Sequence, residues 1–458
     1  MAESSIWGGN NGRGHDNGSS DIVFSNVRIL DGTGEPAYSG EVTVSGNRIK
    51  SISRAGGGYG GGLGGGSLSW GGNGSTRIDG RGMTLMPGMI DAHLHLSWNN
   101  APGIDPIQMM PIEEHVVNCI EMAGLLIDAG FTGGVGAAAA KPRLDVVIRD
   151  AINAGKVPGP RYTAAGPELT VIGGFGDATL PHIPDKGLNL GIVVSGPEEV
   201  RREVRQLMKW GVDTIKLNLS GEEITGMGAE ENQFSDEEIA MAVKEAKGRG
   251  RRLAAHARSK ESIKKCVEYG IEIIYHASFS DEEALDMLEA NKDKHFVAPG
   301  LAWLINTARN AGEYGIKPGT PITIAYEREL ENAIETMQKM HKRGIRVLIG
   351  GDYGFAWTPH GTNAKDFEYF VDMLGLSPME AIRAGTALGG EMLGTILNTG
   401  QELGLVREGY LADLLLVDGD PVMDIRVLQD KSRIVAIMKD GKFHKAPDTQ
   451  AAGMRLTA

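Results

Sequence analysis

Residues 235–279 read SDEEIAMAVKEAKGRGRRLAAHARSKESIKKCVEYGIEIIYHASF and hold one unit twice: an amphipathic helix, a glycine stop, then a short apolar strand. Ser235 stands at the N-cap position with Glu238 placed to complete a capping box, and glycines close the helix before RRLAAHA. SKESIKKCVEYG leads to IEIIYHASF in the same way. Strands separated by helices pair in parallel, because the chain crosses back over the sheet before restarting in the same direction.

Working outward, the unit recurs. PEEVRREVRQLMKWG (197–211) is a helix stopped at Gly211 and VDTIKLNLSG a strand; KHFVAPGLAW (294–303) is expected to be the next strand, and YERELENAIETMQKMHKRG is a helix before IRVLIGGDYG (345–354). Residues 86–394 are therefore expected to form an α/β fold, a (β/α)8 TIM-like barrel with insertions. The flanks have another rhythm. DIVFSNVRILDG, EVTVSGNRIKSISR and STRIDGRGMTLMPG before the barrel, and GYLADLLLVDG and SRIVAIMKDGKFHK after it, are short apolar-polar runs between glycine turns. Residues 21–85 and 395–458 are thus expected to give a small discontinuous β-sandwich domain formed by both termini, ending in a tail, with 1–20 a flexible leading segment.

Of 458 residues 66 are glycine, twelve of them between Gly56 and Gly74. Such backbone buries too little apolar area to offset its ordering, so loop 56–74 is expected to be mobile. It joins strands and lacks a Lys-Ser/Thr ending, which argues against a phosphate-binding loop. The balance of 46 basic against 59 acidic residues, with no long basic run, argues against a nucleic-acid partner. No apolar run reaches about 18 residues and the first twenty have no apolar signal core, so the reading is a soluble, cytoplasmic protein without membrane contact. Cys119 and Cys266 form no CxxC pair and are expected to be core thiols.

Chemistry enters at PGMIDAHLHLSW (87–98), where His93 and His95 share one face of a strand. Later strand ends each carry a candidate: Lys216 in TIKLNL, His256 in LAAHAR, His276 in IIYHAS and Asp352 in LIGGDYG. Barrel strands deliver catalytic groups to the C-terminal face, so these side chains are expected to converge there. Taken singly, each histidine is equally readable as a core residue, and Lys216 as an ordinary ion-pair partner. Together they read as a metal site, in which burial lowers the Lys216 pKa and frees an amine able to capture carbon dioxide as a metal-bridging carbamate.

These residues, with LSPMEAIRAGTALGGEMLG (376–394) and REGYLADLLLVDGDP (407–421), resemble the amidohydrolase superfamily over most of the chain. More narrowly the chain resembles its imidazolonepropionase-like and prolidase-like branch, that of ochratoxin amidase and the molinate and phenylurea hydrolases. The resemblance implies a first metal on His93, His95 and Asp352, a second on His256 and His276, and carboxylated Lys216 with a hydroxide bridging them. It implies zinc, two ions or one, with manganese or cobalt as substitutes. It also implies Asp352 as the proton carrier to the departing nitrogen and a homo-oligomer, tetramer or octamer.

Two departures bear on substrate. Where many members of the branch have Gly-Gly-His-Gly, this chain has Gly173-Gly174-Phe175-Gly176, and GFTGGVGAAAA (130–140) lacks the usual Arg-Asp pair. Trp98, Phe175, Trp303, Tyr353, Phe355 and Trp357 are expected on loops around the barrel mouth, with His182 and His360 as polar contacts. The expected reaction is hydrolysis of a carbonyl C–N bond in a mostly apolar or aryl small molecule: an amide, urea, carbamate or thiocarbamate. Xaa-Pro dipeptide or imidazolonepropionase-like cyclic amide hydrolysis is the alternative, and a non-catalytic binding relative is a further one.

Overall fold

The computed structural model describes residues 21–55, 75–180, 182, 189–400 and 402–447. The leading segment and the loop 56–74, both expected to be mobile, lie outside them. Around the gap, both ends of the chain enter one eight-stranded sheet. Its N-terminal strands are Ile22–Ile29, Tyr38–Ser45, Arg48–Arg54, Thr76–Asp79 and Thr84–Pro87, and its C-terminal strands are Leu414–Val417, Ile434–Lys439 and Lys442–Lys445. The seam is the antiparallel pairing of Leu85 with Leu416 and of Met86 with Leu415. Alternate residues of these strands (Phe24, Val42, Val44, Leu85, Leu414, Leu416, Met438) fill a core of their own.

The middle of the chain is the barrel. Its parallel strands run Met89–Leu94, Phe131–Gly136, Arg161–Thr163, Thr214–Asn218, Arg252–Ala257, Ile273–His276 and Phe296–Ala298 in sequence order. The eighth position, 345–350, is joined by the Val297–Val347 bridge, and the Ala92 amide donating to the Ile349 carbonyl at 2.9 Å closes the ring. Between the third and fourth strands, Ala165 bridges Thr214, and the short strands Leu169–Val171 and Ile192–Val194 form an inserted pair.

Local signals explain the repeats. Ser235 and Glu238 form the capping box of helix Asp236–Lys247, and Ser259 caps Lys260–Tyr269. Gly211 and Gly270 end their helices with φ of 97° and 66°, where a side chain would be strained. Cys119 and Cys266 are buried free thiols, as expected.

One expectation is corrected. KHFVAPGLAW is a strand only over Phe296–Ala298; a left-handed Gly300 (φ 65°) turns the chain, and helix Leu301–Asn310 begins at once, placing Trp303 on its first turn rather than on a loop. Helix Ala387–Leu397 runs through position 394, so the passage from barrel to terminal strands falls after it. Strand Thr84–Pro87 likewise crosses the expected junction at 85/86. Among the described residues no helix is long and apolar enough to cross a membrane.

Candidate metal centre

The barrel strands bring His93, His95, Lys216, His256, His276 and Asp352 to the floor of one cleft. All six are buried or nearly so, although each carries a polar head. His93 and His95 lie at the end of the first strand and just beyond it; their rings are 5.2 Å apart, and their Nε2 atoms face Asp352 Oδ1 at 3.6 and 3.2 Å. His256 and His276, ending neighbouring strands, lie edge to face at 4.5 Å, and His276 is 5.1 Å from His93. Lys216 extends over the Tyr275 ring, with Nζ 3.8 Å from Glu168 Oε2.

Backbone strain marks the same place. His276, Ala277 and Asp352 have φ of 74°, 54° and 63°, a left-handed region that non-glycine residues seldom occupy unless their surroundings enforce it. Gly300 leaves room for this: a Cβ there would lie 2.9 Å from His276 Nδ1. Beneath His93, the Asp91 carboxylate accepts its backbone N–H at 2.9 Å and the Asn363 amide at 2.8 Å, so the strand end is held from below.

The electrostatics suit a cation. Burial pushes the His93, His256 and His276 imidazoles well below their ordinary range, keeping them neutral. Burial also lowers the Lys216 amine, against the opposing pull of Glu168 and Asp352. His95 Nδ1 contacts the Ala138 carbonyl at 3.2 Å, and a carbonyl only accepts, so the ring proton sits on Nδ1. The Nε2 lone pair then faces a carboxylate oxygen across 3.2 Å. Two electron-pair donors aimed at one another in a dry pocket fit a cation between them, and imidazole with carboxylate is a donor set for zinc, manganese or cobalt.

The walls are apolar: Trp98, Ile104, Phe175, Leu190, Ile224, Trp303 and Phe355. Trp98 stacks on His95 at 4.4 Å, Phe175 lies 4.7 Å from His256, and Trp303 packs 5.1 Å from Phe355. Four expected rim residues are placed elsewhere. Tyr353 follows Asp352 and so points to the other side of the chain, where its hydroxyl meets Asp366 at 3.3 Å. Trp357 stacks behind Phe355 and donates to Thr307 at 3.0 Å. His360 is buried, with Nε2 2.9 Å from the His95 carbonyl, which makes it a brace for the first strand end. His182 is exposed in a turn and does not line the cleft.

The sequence reading missed Glu168 and Glu222, which line the cleft, and Arg258, fully buried behind it. Arg258 forms ion pairs with Glu222 and Glu329, and its Nε lies 3.3 Å from His256 Nε2. That nitrogen also lies 2.9 Å from the Gly221 carbonyl.

A barrel closed on this set of histidines, lysine and aspartate defines a class. The Amidohydrolase family model matches residues 84–443, and the chain belongs to that family; it is a hydrolase acting on carbon–nitrogen bonds. Among curated proteins it is similar to ochratoxinase of Aspergillus niger, 28% identical over 406 residues, 81% of this chain and 78% of that protein. Among solved structures it is similar to a prolidase complexed with N-methylphosphonate-L-proline (TM-score 0.80, 25% identity, 93% of this chain and 100% of that one). It is also similar to a Xaa-Pro dipeptidase with bound methionine (TM-score 0.78, 27% identity, 93% and 100%).

Proposed function

We propose that the protein hydrolyses a carbonyl C–N bond of a mostly apolar or aryl small molecule, an amide, urea, carbamate or thiocarbamate. His93, His95 and Asp352 would hold one divalent ion, His256 and His276 a second, and Lys216, carboxylated on Nζ, would bridge them. Zinc is the proposed ion, in a cytoplasmic homo-oligomer. Divalent ions bound there supply hydroxide at neutral pH and polarise the scissile carbonyl.

The chain's own residues account for the rest. Neutral imidazoles offer lone pairs without a proton to displace, and the stacked Trp98 and Tyr275 rings fix the planes of His95 and His93. Asp352, ionised at the centre of the floor, accepts the proton of the attacking water and delivers it to the departing nitrogen, because an amine leaves far more readily than an amide anion. Trp98, Phe175, Trp303 and Phe355 exclude water and orient a flat or apolar group.

One observation carries the substrate class. Among the described residues lining the cleft, the basic side chains all belong to the floor, while the walls offer only apolar groups and the carboxylates Glu168 and Glu222. A dipeptide would bring an ammonium and a carboxylate into this space with no cation outside the floor to receive the latter. The similarity to ochratoxinase supports the aryl-amide reading. The prolidase and Xaa-Pro dipeptidase structures keep dipeptide hydrolysis as the second reading. A panel of N-acyl aromatic amino acids, aryl ureas and prolyl dipeptides decides between them. The aryl ureas, which bring no carboxylate, are expected to exceed the prolyl dipeptides in kcat/KM by at least about 100-fold, about 2.7 kcal/mol; the reverse order overturns the proposed substrate class.

A further inference from the structure

We propose that Glu222 is itself a metal ligand, binding a divalent cation together with His256 and His276 as the second ion of the site; this rests on the metal reading above. An oxygen of Glu222 and a ring nitrogen from each of the two histidines lie within 4.8 Å of one another, and all three residues are buried. His276 also belongs to the neighbouring cluster with His93 and Asp352, so the two groups of donors meet at one ring. Its Nδ1 has no hydrogen-bond partner among the described residues.

Charge argues in the same direction. Arg258, fully buried, lies between two carboxylates, Glu222 and Glu329, so one guanidinium faces two negative groups. The Tyr326 hydroxyl donates to Glu222, and that of Ser278 to Glu329 at 2.6 Å, but hydroxyls carry no net charge. Glu329 Oε2 has no hydrogen-bond partner among the described residues. Two carboxyl groups thus share one buried guanidinium, and a cation beside Glu222 would balance the second of them when both are ionised. Arg258 and Tyr326 fix the Glu222 carboxylate and leave it lone pairs to give, the usual arrangement of a ligand held by partners behind it.

Glu222 also differs from Lys216 in what it needs. Lys216 becomes an anionic donor only after reaction with carbon dioxide, whereas Glu222 is one as encoded. It lies six residues beyond Lys216, in the loop after that strand. The two can serve together, one bridging and one terminal.

The test is zinc binding to the purified full-length chain, stripped of metal and reloaded, with stoichiometry and affinity as readouts independent of turnover. Wild type is expected to retain two ions per chain. Glu222→Gln is expected to retain one, with the second weakened by more than about 100-fold, beyond the range of changes behind a ligand. Glu329→Gln, which alters the same ion cluster but spares the ligand, is expected to retain two. Two tightly held ions in Glu222→Gln, or equal loss in Glu329→Gln, overturn the assignment. A wild type that binds one ion overturns it as well; one that binds none overturns the metal reading instead. Should Glu222→Gln fail to fold, an anomalous-scattering map of the zinc-loaded wild type decides. A Glu222 oxygen about 2.0–2.2 Å from the second ion supports the role, and one beyond about 3 Å refutes it.

Discussion

Replacing Asp352 by asparagine separates the charge of this side chain from its shape. The carboxylate faces His95 at 3.2 Å and His93 at 3.6 Å, and it is the acidic member of the first donor set. On the proposed reading, removing it takes away both the proton carrier and a ligand's negative charge. General acid–base catalysis alone contributes about 10²–10⁴ in rate, about 3–5 kcal/mol. With the ligand charge lost as well, kcat/KM in Asp352→Asn is expected to fall at least about 10³-fold. The fold should survive: position 352 has φ 63°, and asparagine tolerates that left-handed region better than almost any other side chain. The melting temperature of the metal-free variant is accordingly expected within about 3 °C of wild type. The assay is kcat/KM on the best substrate of the panel, beside a thermal melt and a metal determination on the same preparation. A variant that keeps its metal and retains activity within about tenfold of wild type would refute the reasoning.

Three further outcomes are expected. Lys216→Ala abolishes activity, and short carboxylic acids such as formate or acetate restore part of it by standing in for the carbamate; absence of rescue in a variant that still folds and binds the remaining metal counts against the bridge. Trp98→Ala, which removes a ring stacked 4.4 Å from His95, raises KM for aryl substrates more than it lowers kcat, and equal effects on aryl and aliphatic amides would show that the ring is not a substrate wall. Asp145 gives the pH dependence. Burial pushes its carboxyl up to about 8, against the Tyr162 hydroxyl, which donates to Oδ2 at 2.7 Å and acts the other way. The folded chain keeps this proton while the unfolded chain releases it near pH 4. Stability should therefore fall by up to about 1.4 kcal/mol per pH unit between those values and level off above them. Asp145→Asn removes that slope, so denaturant midpoints of variant and wild type should diverge as pH rises from 5 to 8; parallel curves contradict the assignment.

What could be read from the chain followed periodicity. His93 and His95 share a strand face, and His256 and His276 sit one helix and one strand apart, so backbone geometry alone set their convergence. Glycine stops and the Ser235 capping box set the helix ends equally well. The rim was less legible, because nearness in sequence to a strand end does not say which way a side chain points. Tyr353 illustrates this: its neighbour Asp352 faces inward, so Tyr353 turns to Asp366. His360 returns to the His95 carbonyl from 265 residues away, a contact no local pattern encodes. Glu222 and Arg258 lie beyond strand ends, and only packing against Glu329 and Tyr326, on helix Pro321–Lys342, gives them their place.

The most direct test of the account is to remove the ions. Purified protein would be analysed for metal, stripped with a chelator, assayed on the aryl amide and urea panel, and assayed again after zinc is restored. The account requires bound divalent metal as isolated, no measurable hydrolysis after stripping, and recovery in proportion to ions rebound. Full activity in chain carrying less than about a tenth of an equivalent of metal would contradict it, since hydroxide at neutral pH would then have another source.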